Sequence, residues 1–247
     1  MYLIARPLTQ ATKLIEFLKQ NNILAQHLPI VDIFYDNQAL ERAVEQINQC
    51  SSALFISPGA IDGLGIRLMH LKPELKLITS GVASAKLLME YNSGVNVIYP
   101  EHGSGVAELI IESKLANLGK IALIGGDNLN ARLAKYLEQK KIQYQFINLY
   151  QRINCGLSNV PLLEGLMSRQ DIHGIVITSC QIGDFLLECA AKSPIILECL
   201  QSTPLITIHP QITLTLRKYG LSNIYECVTA ENLAIMAVIE GLENERN

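Results

Sequence analysis

In Ser52-Ala53-Leu54-Phe55-Ile56-Ser57-Pro58-Gly59, four apolar residues run without alternation into a serine, a proline and a glycine. An unbroken apolar run of this length suits a strand covered on both faces, and Ser-Pro-Gly is a helix-opening turn. The unit returns half a chain later as His173-Gly174-Ile175-Val176-Ile177-Thr178-Ser179. Strand followed by helix, written twice, predicts an α/β fold with largely parallel sheets flanked by helices.

The same alternation extends outward in both directions. Leu3-Ile4-Ala5 precedes a predicted helix over 10–20, Leu75 to Ile78 one over 83–91, Val95 to Tyr99 one over 106–113, and Ile121 to Ile124 one over 131–140. Beyond the second copy, Ile175 to Ile177 leads into 181–191, Leu205 to Ile208 into 212–219, and Ile224 to Val228 into 231–242. Leu3 to Ile33 is matched by Ile121 to Ile153, and Leu75 to Ile111 by Leu205 to Ile239. Self-similarity at this spacing argues an internal duplication, hence two domains of similar fold.

Two extended segments, Leu28 to Ile33 and Phe146 to Ile153, are candidate linkers. Two crossings enclose one domain inside the other: 36–148 inserted between 1–34 and 153–247, with linkers near 29–36 and 146–153. A single crossing at the turn Asn117-Leu118-Gly119 is the simpler alternative.

Composition narrows the function classes. At 247 residues with 49% apolar and 17% charged side chains, the chain can bury full cores and is not a disordered segment. A net charge of −3 and the absence of tryptophan argue against a polyphosphate backbone or a base-stacking surface as partner, so nucleic acid is not expected. Six cysteines without a CxxC pair predict free thiols in a reducing cytoplasm rather than a zinc site. The apolar start breaks at Arg6-Pro7, unlike a signal peptide, and no run reaches the length of a membrane span. A soluble cytoplasmic protein is expected.

Dinucleotide, phosphate-loop, nucleophile-elbow and zinc-protease motifs are all missing, and the five histidines have no metal-ligand spacing. The chain instead offers polar strand-to-helix junctions: Ser57-Pro58-Gly59, Ser80-Gly81, Gly103-Ser104-Gly105, Gly126-Asp127-Asn128, Thr178-Ser179, His209-Pro210 and Thr229-Ala230. In parallel sheets such junctions line the carboxyl edge, where ligands bind, and helix N-termini favour carboxylates. Each alone is equally an ordinary helix cap. Together, on two facing domains, they would suit a large polyanion. Tyr150, at the end of an apolar segment, is either a core residue with a wet hydroxyl or a proton donor to a leaving hydroxyl. Arg6 is either a bidentate carboxylate clamp or half of a surface pair.

The order of these elements resembles the uroporphyrinogen-III synthase family. Arg6-Pro7 with Gln10-Ala11 is similar to the family's opening, and Ala53 to Ile61 to its "iFTSxNAV" element. Ser80 to Ala85 resembles "VGxxTA", Tyr99-Pro100 a strand end, Gly119 to Ile124 "GkrvLil", Leu149 to Arg152 "vYxR" and Val176 to Ser179 "vvTS". The chain differs at Gly125 to Leu133, where the family has "RGxGGRelL", at Gly59, where it has Asn, and at His209, where Ser or Thr is common. The resemblance implies two α/β domains joined by a two-stranded linker, closing on substrate. It implies that hydroxymethylbilane, a linear tetrapyrrole, loses water and cyclises with inversion of ring D, without metal or organic cofactor. Tyr150 is then the general acid. Arg6, Ser57, Pro58, Gly59, Ser80, Ser84, Ser104, Thr178, Ser179 and His209 are the substrate-binding set. A monomer in transient contact with the hydroxymethylbilane-producing enzyme completes the expectation. A catalytically weak tetrapyrrole-binding module of the same fold is the alternative.

Overall fold

Parallel pairing builds both sheets of the computed structural model, which describes residues 1–100, 119–127, 129 and 131–246. The expected helix at 106–113 and the candidate residue Ser104 lie outside the described residues. The chain divides into two compact units, one of Met1–Asp32 with Ile153–Asn247 and one of Ile33–Arg152.

In the first unit, β1 (Tyr2–Ala5), β2 (Ala25–His27), β9 (Gly174–Ile177), β10 (Leu205–Thr207) and β11 (Ile224–Glu226) form a sheet in the order β11-β10-β9-β1-β2. Parallel neighbours need helical crossovers. These are α1 (Leu8–Gln20), α7 (Cys180–Ala190), α8 (Pro194–Ser202) and α9 (Pro210–Lys218), with α6 (Val160–Met167) before β9 and α10 (Asn232–Asn244) after β11. Alternate strand residues enter different layers. Leu3, Ala5, Ile175, Ile177 and Leu205 pack into one cluster, while Tyr2, Ile4, Val176 and Ile206 pack into another. Both faces are therefore covered, which is why the strands read as continuous apolar runs.

The second unit holds β4 (Ser52–Phe55), β5 (Lys76–Thr79), β6 (Val97–Ile98) and β7 (Ile121–Gly126). The division between units falls inside β3 (Val31–Tyr35) and β8 (Tyr144–Asn154). The sheet order is β3-β8-β7-β4-β5-β6. Taken from its far edge, β6-β5-β4-β7-β8 repeats β11-β10-β9-β1-β2 strand for strand, with β3 added. Its helices are α2 (Asn37–Asn48), α3 (Pro58–Leu64), α4 (Val82–Tyr91) and α5 (Ala131–Gln139), with a 3-10 segment at Gly65–His70.

Several elements depart from the sequence expectation. The predicted strand 95–99 contracts to Val97–Ile98, and the segment 146–153 expected as a linker is part of the eleven-residue β8. Helices α2, α6 and α8 are additional to those predicted. All six cysteines are free thiols. No helix among the described residues is long and apolar enough to cross a membrane.

The first unit ties its chain ends together through Glu243 on α10. Its Oε1 accepts from the Tyr2 hydroxyl at 2.7 Å and pairs with His173 Nδ1 at 2.7 Å. Burial, the largest single influence, raises the Glu243 pKa. The hydrogen bonds from Tyr2 and His173, joined by the charges of His173 and Arg246, together outweigh it and hold the carboxyl below its ordinary value. A depressed carboxyl contributes stability that is present above its unfolded pKa and is lost as pH falls through the folded one. Glu243→Gln is accordingly expected to melt lower than wild type at pH 7, with the gap narrowing below about pH 4.5, where the unfolded carboxyl takes up its proton first, and closing as pH falls through the lower folded value. Melting curves of both proteins at pH 7 and pH 3.5 check this; a constant gap would assign the loss to packing instead.

Candidate active site

A sheet of this kind has one place where the chain leaves neighbouring strands in opposite directions, and ligands bind outside the carboxyl ends there. In the second unit that place is between β4, which leads to β5 and β6, and β7, which leads to β8. Ile56 and Ser57 follow β4, Asp127 follows β7, and Tyr150 and Arg152 lie toward the end of β8.

The face that Tyr150 presents is set by a register shift. Gly125 of β7 pairs with Asn148, but Gly126 pairs with Tyr150, so Leu149 is the extra residue. Side chains normally alternate across a strand, yet Leu149 and Tyr150 pack into the same core cluster. The bulge reverses the phase and turns Tyr150, and with it Arg152 two residues on, toward the second unit's core face. Gly126 is what the ring lies against: a Cβ there would overlap three atoms of the Tyr150 ring.

Asp127 fixes the other end of the cluster. It adopts the left-handed region (φ 57°), its N–H donates to Tyr150 O at 2.8 Å, and its carboxylate accepts twice from Arg152. The backbone N–H and Nη1 of Arg152 each reach it at 2.7 Å. Held this way, Arg152 donates Nη2–H to the Tyr150 hydroxyl at 3.0 Å, and its guanidinium lies 5.3 Å from the Tyr150 ring centroid.

The Tyr150 hydroxyl is also 2.6 Å from Ser57 Oγ. Tyr150 itself is 2% exposed, whereas Ser57 is part-buried. Ser57 occupies the N-cap position of α3 without bonding to the helix, forgoing a contact usually worth about 1 kcal/mol. Its counterpart Ser179 has nearly the same backbone (φ −154°, ψ 157° against −151° and 156°) and does cap α7, accepting from Ile182 N at 3.2 Å. Gly59 leaves room for the phenol, since a Cβ there would sit 3.3 Å from the Tyr150 hydroxyl. Tyr35 packs edge-on to Tyr150 and donates to Gly59 O at 3.0 Å. Burial first, and then the Asp62 carboxylate, pushes the Tyr35 phenol up to about 12. A cavity of about 350 Å³ borders this cluster, lined by Phe34 to Gln38, Asn148, Tyr150 and Gln151.

The other expected site residues divide by unit. Pro58 is the first residue of α3. Ser80 donates to Ile56 O at 3.0 Å, beside Ser57 in sequence, and Ser84 is buried on α4 at 3% exposure, a position unsuited to direct contact with a large ligand. In the first unit, the corresponding reversal point lies between β1 and β9. Arg6 and Thr178 stand just beyond the paired ends Ala5 and Ile177, with Thr178 Oγ1 donating to Ala5 O at 3.4 Å. His209 is exposed and caps α9 through Nδ1, which accepts from Gln211 N at 3.1 Å. Ser179 and His209 are thus engaged as helix caps.

Arg6 is set apart among the described arginines by its desolvation. Its guanidinium has no carboxylate within ion-pair distance among the described residues, and it is part-buried. Burial lowers its pKa to about 10, with the Cys227 thiol acting in the opposite sense. Burial likewise raises Cys227 to about 11, against the pull of Arg6. A desolvated cation beside a neutral thiol is suited to receive an anion. Among the described residues no three His, Cys, Asp or Glu side chains are grouped to hold a metal.

Asp127 and Gly126 acquire their place here only from the structure. The sequence marks Asp127 as part of one junction, but nothing local discloses the partner twenty-five residues on.

The profile of the uroporphyrinogen-III synthase HemD family matches residues 12–237. Among solved structures, a mutant uroporphyrinogen III synthase from the extremely thermophilic bacterium Thermus thermophilus is similar with a TM-score of 0.63 at 14% identity, covering 99% of this chain and 98% of that one. The enzyme from Helicobacter pylori 26695 is similar with a TM-score of 0.62 at 13% identity, covering 98% of each chain. No curated protein sequence matches.

Proposed function

The chain belongs to the uroporphyrinogen-III synthase family, and from that membership we propose that it cyclises hydroxymethylbilane to uroporphyrinogen III, with Tyr150 as the source of the proton that the leaving hydroxyl needs. The observation that carries the catalytic part is the Tyr150 hydroxyl, oriented by an anchored guanidinium at the reversal point of its sheet.

The chemistry asks little acid strength of the protein. An electron-rich pyrrole expels its own hydroxymethyl oxygen once that oxygen is protonated, leaving an azafulvene. A bilane left to itself closes at the free α-carbon of ring D and gives the symmetric isomer. Type III requires attack by the substituted carbon and a spiro intermediate. Catalysis on this reading is mainly conformational, through complementarity to a bent, spiro-like transition state. Phenol and guanidinium supply the proton and a counter-charge. The many acetate and propionate arms of the substrate need donors more than net positive charge, which suits a chain of net charge −3. Arg6 is the proposed clamp for one of them. The junctions carrying Thr178 and Ser80 are proposed as further contacts.

A coupled assay tests the reading. Hydroxymethylbilane is generated enzymatically, the protein is added, and oxidised products are separated by chromatography. The type III isomer is expected in excess over the symmetric one. If only the symmetric isomer forms, as a tetrapyrrole-binding module would allow, the synthase reading fails.

A further inference from the structure

We infer that Ser57, not Tyr150, hands the proton to the departing hydroxyl, and that Tyr150 resupplies Ser57 from behind. This rests on the synthase reading above and adds a catalytic residue to it.

The phenol offers a tetrapyrrole almost no surface, although Tyr150 borders the cavity lined by Phe34 to Gln38. Tyr150 is 2% exposed and packed among the apolar residues of its unit, with Tyr35 against its ring and Arg152 against its oxygen. Ser57 is the more exposed member of the pair and stands at the carboxyl end of β4.

Hydrogen-bond direction follows from the donor inventory. A guanidinium only donates, so the Arg152 contact uses an acceptor site on the Tyr150 oxygen. A buried phenol is expected to donate as well, and Ser57 Oγ, 2.6 Å away, is its acceptor among the described residues. Among the described residues the Ser57 hydrogen is then left over. Ser57 makes no cap bond to α3, although Ser179, with the same backbone in the duplicated unit, caps its helix. The Ser57 hydroxyl has been withdrawn from the usual task of its position and set in a chain running Asp127, Arg152, Tyr150, Ser57.

The Ser57 O–H proton moves to the hydroxymethyl oxygen, and the C–O bond breaks with its electron pair on that oxygen, which leaves as water. The Tyr150 proton moves to Ser57 Oγ, and the negative charge stays on the phenol oxygen beside the Arg152 cation. When ring D regains aromaticity after the final carbon–carbon bond forms, the proton it sheds returns through Ser57 to Tyr150.

The test compares wild type with Ser57→Ala, Ser57→Thr, Tyr150→Phe and the double variant Ser57→Ala/Tyr150→Phe, following turnover, isomer ratio and the rate in mixtures of light and heavy water. Ser57→Ala and Tyr150→Phe are each expected to lower kcat by a similar factor, toward about 100-fold, the low end of general-acid effects. The double variant should be no slower than the worse single one, because both lie on one path. Ser57→Thr keeps the hydroxyl and should recover most of the rate. Two protons in flight should bow the wild-type plot of rate against deuterium fraction, and Tyr150→Phe should straighten it. A straight wild-type plot overturns the relay, even if Ser57→Ala does not fold. So does wild-type turnover in Ser57→Ala, whether or not Tyr150→Phe is slow. Each of these outcomes leaves the synthase reading intact if wild type still yields type III; loss of type III from wild type brings down both.

Discussion

Arg6→Met is expected to melt higher than wild type and to bind its acid substrate more weakly. The two effects have one origin. A part-buried guanidinium with no carboxylate partner among the described residues is desolvated without compensation, and its lowered pKa reports that cost. Methionine fills a similar volume without the charge, so the folded state gains of order 1–3 kcal/mol. For a chain of this size that is several degrees, at roughly 2–4 °C per kcal/mol. If Arg6 is the carboxylate clamp proposed above, the same substitution removes a charge-assisted contact, about 1.5–3 kcal/mol, or about 10–100-fold in KM. Turnover at saturation should change far less, because the contact is made before and after the transition state alike. Arg6→Lys should fall between, keeping the charge but not the two-pronged geometry. A lower melting temperature with unchanged KM would mean that Arg6 holds the fold together, and the clamp would be abandoned.

Much of the architecture is written locally. Ala53 to Ile56 and Ile175 to Ile177 are apolar without a break because helices cover both sides of each sheet, and their helices start at visible Ser-Pro or Thr-Ser junctions. What escapes is what depends on a distant neighbour or on a narrow stripe. Helix α2 buries Leu40, Ala43 and Ile47 and, apart from Ala39 and Val44, is polar, so its apolar signal is thin, although Asp36 caps it by accepting from Gln38 N and Ala39 N. Helix α8 carries the Ser193 cap and Pro194 start that its sequence displays. Strand β8 conceals its bulge altogether. Nothing in Asn148-Leu149-Tyr150 says that Leu149 is skipped in the pairing, since that is decided by Gly125 and Gly126 on the facing strand. The candidate site inherits the same limit. Arg6 and Ser57 could be singled out from their junctions, but the choice between cap and partner is made by whatever stands opposite. Ser57 and Ser179 have equivalent sequence positions, yet one bonds a tyrosine and the other its own helix.

Gly126→Ala should damage both fold and turnover, because one methyl group has nowhere to go. The added Cβ would enter the Tyr150 ring, which cannot simply swing aside: Gly59 backs its hydroxyl edge and Tyr35 packs against it. Overpacking of this kind costs typically about 1–3 kcal/mol. Any shift of the ring that relieves it also pulls the hydroxyl away from Ser57 and from Arg152, so kcat is expected to fall at least as far as in Tyr150→Phe. A double-variant cycle isolates the cause. Tyr150→Ala alone should be severe, about 3–5 kcal/mol for loss of a buried aromatic ring, but it empties the space that the new methyl group needs. Adding Gly126→Ala to Tyr150→Ala should therefore cost little further stability, giving a coupling energy of about 1–3 kcal/mol for residues in contact. Strict additivity in chemical denaturation would show that Gly126 is needed for its own backbone rather than for the ring. The bulge would then lose its assigned purpose of bringing Tyr150 onto a glycine floor beside Ser57.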